Sequence, residues 1–148
     1  MTASAKEMIA ACGLYCGDCP FHKGDIADLA RDLRKKLRGY RFDKIAEAIP
    51  FKAFDAYPAC YETLGAMVKL RCRRGCRDGG GPPGCRIRDC CDKRGLAGCW
   101  ECDDFASCAK LEKRLAVAHG TAHLYNLRKL KRDGVRAFLA GPRKWWAK

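Results

Sequence analysis

Residues 12–20 read CGLYCGDCP and residues 98–108 read GCWECDDFASC. These two stretches hold six of the twelve cysteines, in the spacings Cys-x3-Cys-x2-Cys and Cys-x2-Cys-x5-Cys. Five more cysteines form two other short groups, Cys72-x3-Cys76 and Cys85-x4-Cys90-Cys91. Tetrahedral zinc is bound most readily by closely spaced cysteine pairs on tight turns. The pattern therefore predicts a metal-binding protein.

Two cysteines lie outside the paired pattern. Cys60 stands alone, and Cys91 directly follows Cys90. Because free cysteine is among the most buried residue types, we expect both to be small buried hydrophobic residues.

The identity of the metal has two alternatives. Glycine and proline beside the ligands, as in residues 16–20 (CGDCP), are typical of a zinc knuckle and favour zinc. Ligation by four cysteines also suits an iron–sulfur cluster. The spacing of Cys12, Cys16 and Cys19 is the one used by radical S-adenosylmethionine enzymes, but this chain has neither the length nor the strands for their partial barrel. An iron–sulfur electron carrier stays open.

We expect two zinc sites per chain. Short loops cost less entropy to close than long ones, so one site should be local to the cysteine-rich segment. Its expected ligands are Cys72, Cys76, Cys85 and Cys90. The expected ligands of the other site are Cys16, Cys19, Cys99 and Cys102, with Cys12 and Cys108 as alternates.

Composition predicts the fold class. The chain has 148 residues, enough for one domain, and only 11 of them are Val, Ile or Thr, which disfavours extended sheet. We expect a mostly α, single small helical domain with an irregular Cys-rich zinc-binding insert. The expected parts are a helical segment (1–70), the insert (71–108) and a basic helical C-terminal segment (109–148). The insert includes GGGPPG at 79–84 and should lack an ordinary hydrophobic core, so that metal orders it.

Apolar periodicity places the helices. One helix should run from Asp25, as N-cap, to about Arg38. Its predicted core face is Ile26, Leu29, Ala30, Leu33 and Leu37. Shorter helices are expected at about 44–48 and 58–69, and the leucines after Cys108 predict helical segments broken near Gly120 and Gly134.

Charge is concentrated near the C-terminus. The formal net charge is +13, and residues 111–148 hold ten basic and two acidic residues. Bases stack on indoles while cations neutralise phosphates, so this segment suits nucleic acid, with an acidic protein as the alternative partner. The candidate contacts are Arg128, Lys129, Lys131, Arg132, Lys144 and Trp145. A simpler structural interpretation is a solvated basic helix whose terminal tryptophans pack on the core.

The remaining polar residues point to no reaction centre. His119 and His123 stand four residues apart, as metal-ligating histidines do, but we expect surface or helix-end residues. His22 could complete a site of three cysteines and one histidine, although a partly buried loop histidine is the simpler interpretation. Glu101, Asp103 and Asp104 are explained by capping and solvation. We therefore do not expect an enzyme, apart from a reactive thiol.

The segment before Cys12 predicts the compartment. Glu7 to Ala11 is too short for the hydrophobic region of a lipoprotein leader, and no run approaches the roughly 18 apolar residues of a membrane-spanning helix. We expect a cytoplasmic protein whose cysteines are reduced and bind metal.

Four stretches resemble one known family. They are residues 12–20, 85–90 (CRIRDC), 98–108 and 126–134. Together they resemble the domain of unknown function 3795 family, small microbial Cys-rich proteins presumed to bind zinc. The resemblance implies ten pattern cysteines, which are Cys12, Cys16, Cys19, Cys72, Cys76, Cys85, Cys90, Cys99, Cys102 and Cys108. Two functions follow as hypotheses: a non-enzymatic zinc-binding module that recruits nucleic acid or an acidic partner, or an iron–sulfur or thiol-redox protein.

Overall fold

Helices carry the fold, as the composition predicts. The computed structural model describes residues 4–148, and in this range β-structure is limited to isolated bridges, at Ile9–Tyr15 and Gly120–Ala147. The α-helices are α1 (Pro20–Lys23), α2 (Asp25–Gly39), α3 (Phe42–Ala48), α4 (Tyr57–Val68), α5 (Arg86–Arg94), α6 (Ala109–His119) and α7 (Ala122–Ala140). Short 3-10 turns lie at Cys16–Asp18, Lys52–Ala56, Cys76–Asp78, Cys99–Glu101 and Phe105–Ser107.

Helix ends lie close to their predicted positions. The predicted breaks are confirmed, since Gly120 separates α6 from α7 and Gly134 kinks α7 with φ 81° and ψ 172°. The predicted N-cap is wrong: Asp25 is the first helical residue, and Gly24, with φ 80°, is the cap. Glycine fits there because the left-handed region strains residues that carry a Cβ.

One hydrophobic core joins the N-terminal segment, the cysteine-rich segment and the last two helices. Its largest fully buried apolar side chains are Ile9, Leu111, Leu127 and Phe138. The segment 71–108 contributes Ile87, Cys91, Cys99, Trp100 and Phe105 to the same core. The expectation that this segment lacks an ordinary core is therefore wrong, because its few apolar residues are shared with α6 and α7. We call residues 8–24 and 71–148 the cysteine core.

Residues 25–70, which we call the outer helical unit, pack differently. Its α2 packs on α4, where the Arg34 guanidinium lies 4.3 Å from the ring centroid of Tyr61, and Ala27 and Ala30 are the buried residues of α2. The predicted core face is correct for Ala30, which is buried, and Leu37, which is half-buried. It is wrong for Ile26, Leu29 and Leu33, which are exposed because the buried face is turned by one residue, to Ala27 and Arg34.

The C-terminal residues return to the N-terminal turn. The Arg143 guanidinium donates to both carboxylate oxygens of Asp18, at 2.9 and 3.3 Å, and lies 4.5 Å from the ring centroid of Tyr15. The tail is thus tied to the turn that holds Cys16 and Cys19. No helix in the described part of the chain is long and apolar enough to cross a membrane.

Candidate metal centre

Cys16 and Cys19 flank the first 3-10 turn. The N–H of Cys19 donates to the carbonyl of Cys16 at 3.1 Å, which closes the turn, and Pro20 then begins α1. Both thiols line a cavity of about 300 Å³. Local sequence therefore fixes this pair of cysteines on one tight turn, as the zinc-knuckle pattern predicts.

Cys76 approaches the same turn from a distant part of the chain. Its N–H lies 3.4 Å from the Cys16 sulfur, to which it donates. The Cys76 thiol also donates to Cys16, which lowers the pKa of Cys16 to about 6 although burial opposes the shift. The same hydrogen bond raises the pKa of Cys76. Cys16 is thus the thiol of the pair that loses its proton more readily.

Cys72 completes this group of four thiols, which we call the knuckle cluster. The N–H of Cys72 donates to the carbonyl of Phe21 at 2.9 Å, holding residue 72 beside α1. Burial raises the pKa of Cys19, and the charges of Cys16 and Cys72 add to this effect. Cys72 also lines the cavity.

Two glycines leave room for the cluster. A Cβ at Gly80 would lie 2.2 Å from the Arg74 oxygen and 2.8 Å from the Cys72 sulfur, and a Cβ at Gly81 would lie 3.1 Å from the Cys76 sulfur. The glycine-rich stretch at 79–84 is therefore a close cover over two thiols and not only a flexible connection.

His22 faces the same cavity. It is half-buried in α1, and its Nδ1 is buried without a hydrogen-bond partner among the described residues. The expectation of a partly buried histidine is confirmed, with the difference that a nitrogen able to bind metal is left unsatisfied beside the knuckle cluster.

Three more cysteines, Cys12, Cys85 and Cys91, line the same cavity as the knuckle cluster. Burial raises the pKa of Cys12 to about 11, and the charges of Cys85 and Cys16 act on it as well. The Cys91 and Cys99 sulfurs are 3.7 Å apart. The hydrogen bond with Cys91 raises the pKa of Cys99, to which Cys12 and Cys108 add smaller effects. A second group of thiols thus surrounds Cys99.

Cys90 and Cys102 are held by cations at the surface. Lys110 Nζ lies 3.3 Å from the Cys90 sulfur, and Arg94 Nη1 lies 3.2 Å from the Cys102 sulfur. Cys90 does not line the cavity that Cys72 and Cys76 line, although the loop-length argument grouped it with them.

The contact of Cys16 differs from the expected division of the cysteines into two sites. Cys16 contacts Cys76 across the chain, whereas the expectation grouped Cys16 and Cys19 with Cys99 and Cys102. The N-terminal turn packs against residues 72–76, which brings these cysteines together despite the long loop between them. Within residues 4–148, no three His, Cys, Asp or Glu side chains converge in the geometry of a metal site, and the ligand sets stay predictions.

Cys60 and Cys91, the two cysteines outside the paired pattern, differ in burial. Cys91 is buried in the core, as expected. The same expectation is wrong for Cys60, which is exposed on α4 because that helix packs only its opposite side against α2.

The histidine pair is also divided. His119 ends α6, and its Nδ1 is paired with the Trp145 carbonyl at 2.9 Å. His123 is the second residue of α7 and is buried, so both histidines lie at helix ends as expected, but His123 is not at the surface. The break at Gly120 separates the two residues, so the four-residue spacing does not place them on one helix face.

The candidate partner contacts divide into inward and outward residues. Lys129 is buried, with its Nζ donating to the Pro142 carbonyl at 2.8 Å. Trp145 packs against the core and, edge-on, against His119 at 4.7 Å between centroids. Arg128, Lys131, Arg132 and Lys144 are exposed, and Lys131 pairs with Asp103 at 3.0 Å. Trp145 is thus a core residue, as the simpler interpretation proposed.

Sequence reasoning missed Arg77, which joins three parts of the cysteine core. Its Nε donates to the Ile9 carbonyl at 2.6 Å and its Nη2 to the Ala97 carbonyl at 2.5 Å, and its charge helps to lower the pKa of Cys16. Its only sequence signal is its position directly after a predicted ligand.

The comparisons with known proteins concern the same cysteines. A family model described as protein of unknown function (DUF3795) matches residues 8–113, which include all twelve cysteines and end before α7. No curated protein and no solved structure matches the chain. Because the matched residues make up more than half of the sequence, the chain belongs to the DUF3795 family of proteins of unknown function.

Proposed function

We propose that this protein binds zinc through its cysteines and serves as a non-enzymatic binding module. The observation that carries the proposal is the knuckle cluster, in which two cysteine pairs from distant segments, Cys16 with Cys19 and Cys72 with Cys76, line one cavity. Zinc bound by four thiolates would crosslink the N-terminal turn to the cysteine-rich segment.

The residues of the knuckle cluster fit a metal ion in three ways. The donor set is four thiols, the set preferred by structural zinc. His22 Nδ1 is a buried nitrogen without a partner, and it could replace one thiol as ligand. Gly80 and Gly81 leave the space beside Cys72 and Cys76 that a larger residue would fill.

A second zinc is proposed in the group around Cys99. Cys12 is close enough to Cys85 and Cys99 for their charges to interact, and Cys108 is similarly close to Cys99. These four thiols belong to segments that the core already brings together. Cys90 and Cys102 stay candidates for exchange with them, since Cys85 caps the helix that holds Cys90 and Cys102 caps the turn that begins at Cys99.

A single observation favours an iron–sulfur cluster as the second candidate. The cavity beside the knuckle cluster is about 300 Å³, roughly ten times the volume of a water molecule in the liquid. A polynuclear cluster held by cysteines would use this space better than one ion, and the protein would then be an electron carrier or a small redox enzyme.

Metal analysis of protein never exposed to chelator tests both candidates. The expected result is a colourless protein with two zinc ions per chain. A brown protein with iron and sulfide would replace zinc by the second candidate, and zero or one metal ion would contradict the two-site proposal. Cys76→Ser should lower the zinc count by one, whereas the exposed Cys60→Ser should leave it unchanged.

The proposed module works in the cytoplasm, where reduced thiols favour metal over disulfides. Its partner would be anionic, because residues 114–148, which lie outside the family match, hold nine basic residues and one acidic residue. Nucleic acid and an acidic protein both meet this requirement.

A further inference from the structure

The last residues of the chain run alongside α7 with alternating exposure. Arg143, Trp145 and Ala147 are turned partly inward, whereas Lys144, Trp146 and Lys148 are exposed. Alternate residues of an extended segment share one face and lie about 6.5 Å apart. An outward-facing row of cation, indole and cation therefore follows from the backbone.

This row is held firmly in place. Asn126, fully buried, donates through Nδ2 to the Lys144 carbonyl at 2.8 Å and accepts the Lys144 N–H at 3.0 Å. Farther along, the Thr121 N–H donates to the Ala147 carbonyl at 3.0 Å, and the Ala147 N–H donates to the His119 carbonyl at 3.2 Å. The tail is thus part of the folded surface.

The exposed face of α7 provides the opposite wall. Tyr125, Arg128 and Arg132 follow one another at helical spacing of three and four residues, so they share a face. Together with Lys144, Trp146 and Lys148 they line a groove of about 550 Å³, which we call the basic groove. Lys144 Nζ lies 4.4 Å from the ring centroid of Tyr125, and none of the described residues that line the groove is acidic.

We propose that the basic groove binds single-stranded nucleic acid. Trp146, which is 56% exposed, offers a ring face for stacking a base, and Arg128 and Lys148 on the two walls can pair with phosphates. Lys144 lies over the Tyr125 ring, and the Arg132 guanidinium is paired with Asp133 at 2.7 Å. This inference deepens the proposed function, on which it rests, because it names the partner of the basic segment. The inference also assigns base stacking to Trp146, whereas the sequence analysis assigned it to Trp145.

The side chains that line the basic groove favour single-stranded nucleic acid over other anionic partners. Apart from the two aromatic rings, the groove has only Ala147 as an apolar side chain, too little apolar area for insertion into a lipid surface. An acidic peptide could pair with the cations but would leave the exposed ring of Trp146 unused, whereas a base can stack on it.

Binding of a short mixed-sequence single-stranded DNA or RNA to the purified, metal-loaded full chain tests the inference. Trp146→Ala should weaken binding about 5- to 150-fold and leave the salt dependence unchanged. Arg128→Ala and Lys148→Ala should each reduce the slope of log affinity against log salt by roughly 0.7 for each lost phosphate contact.

Matched controls come from the outer helical unit. Tyr40→Ala removes an exposed ring, and Lys35→Ala removes an exposed cation, and both should bind like the unaltered protein. Thermal unfolding and metal content of Trp146→Ala should match the parent, since its indole is exposed.

Three outcomes would overturn the inference. They are no binding at low salt, equal binding by Trp146→Ala, and preference for anionic phospholipid vesicles or a poly-glutamate peptide over the nucleic acid strand. Each leaves the metal count untouched, so failure of the groove is distinguishable from failure of the zinc proposal. Conversely, if the purified protein contains no metal and still binds single-stranded nucleic acid, the zinc proposal is wrong and the proposal for the basic groove stands.

Discussion

The outer helical unit and the cysteine core are both helical, yet they bury very different side chains. Among residues 25–70, all of which the structure describes, Ala27 and Ala30 are the only buried hydrophobic residues, and Leu29 is 68% exposed. In the cysteine core, Leu127 and Phe138 are fully buried beside Trp100. Small side chains hold two helices close together but remove little apolar area from water. We therefore expect the cysteine core, although its sequence looks least like an ordinary hydrophobic core, to contribute most of the free energy of unfolding.

The largest expected effect is that of metal removal. Structural zinc contributes on the order of 10 kcal/mol to folding, so chelation should unfold the cysteine core. Because residues 71–108 share their core with α7, loss of native structure should extend to Leu127 and Phe138 and not stop at residue 108. NMR spectra of protein before and after chelation would show this. Native chemical shifts for the Trp100 indole in metal-free protein would contradict it.

A pair of leucine substitutions compares the two regions directly. Leu127→Ala should lower the free energy of unfolding by about 2–5 kcal/mol, since it leaves a cavity beside Gly13, whose added Cβ would lie 2.9 Å from Leu127. Leu29→Ala should change it by less than about 0.5 kcal/mol because that side chain is exposed. Urea unfolding of the metal-loaded proteins measures both. Equal effects would mean that the outer unit is covered by a partner or a second copy in solution.

The ion pair between the tail and the first turn should have a smaller effect. Arg143→Met removes two hydrogen bonds to Asp18 and should cost about 1.5–3 kcal/mol, because both groups are largely screened from water. Arg38→Met, an exposed residue of α2, serves as the control and should leave unfolding unchanged. If the two variants unfold alike, the tail is not anchored at Asp18.

The smallest expected effect is a pH dependence from His123. Burial lowers the pKa of His123, so its imidazole stays neutral in the fold at pH values where the unfolded chain is protonated. The stabilising effect is complete above the unfolded pKa of about 6.5 and is lost as pH falls towards the folded pKa. His123→Asn should therefore show a shallower loss of stability between about pH 7.5 and 5.5. Because both proteins keep the same cysteines, protonation of metal ligands does not obscure the comparison. An NMR titration midpoint above 6.5 for His123 would contradict the sign.

Local sequence determined the elements of this protein. The predicted helices, the breaks at Gly120 and Gly134 and the tight turn between Cys16 and Cys19 depend on periodicity, on glycine and on short-range hydrogen bonds, all of which are readable along the chain. The family resemblance rested on three local cysteine motifs and on residues 126–134, and the match over residues 8–113, which includes the three cysteine motifs but not 126–134, confirms the family. Zinc, its ligand set and the nucleic-acid partner stay predictions.

Tertiary structure alone decided which residues meet and which face outward. Cys16 contacts Cys76 because the N-terminal turn packs on a segment sixty residues away, and no loop-length argument contains that packing. The choice between Trp145 and Trp146 depends on which face of an extended tail Asn126 and the backbone of residues 119–121 hold against the core. The sequence pattern indicates that a segment has two different faces. Which face is buried depends on the neighbouring element that packs against the segment. For that reason α2 could be placed within a residue or two at each end, while its buried face was turned by one residue.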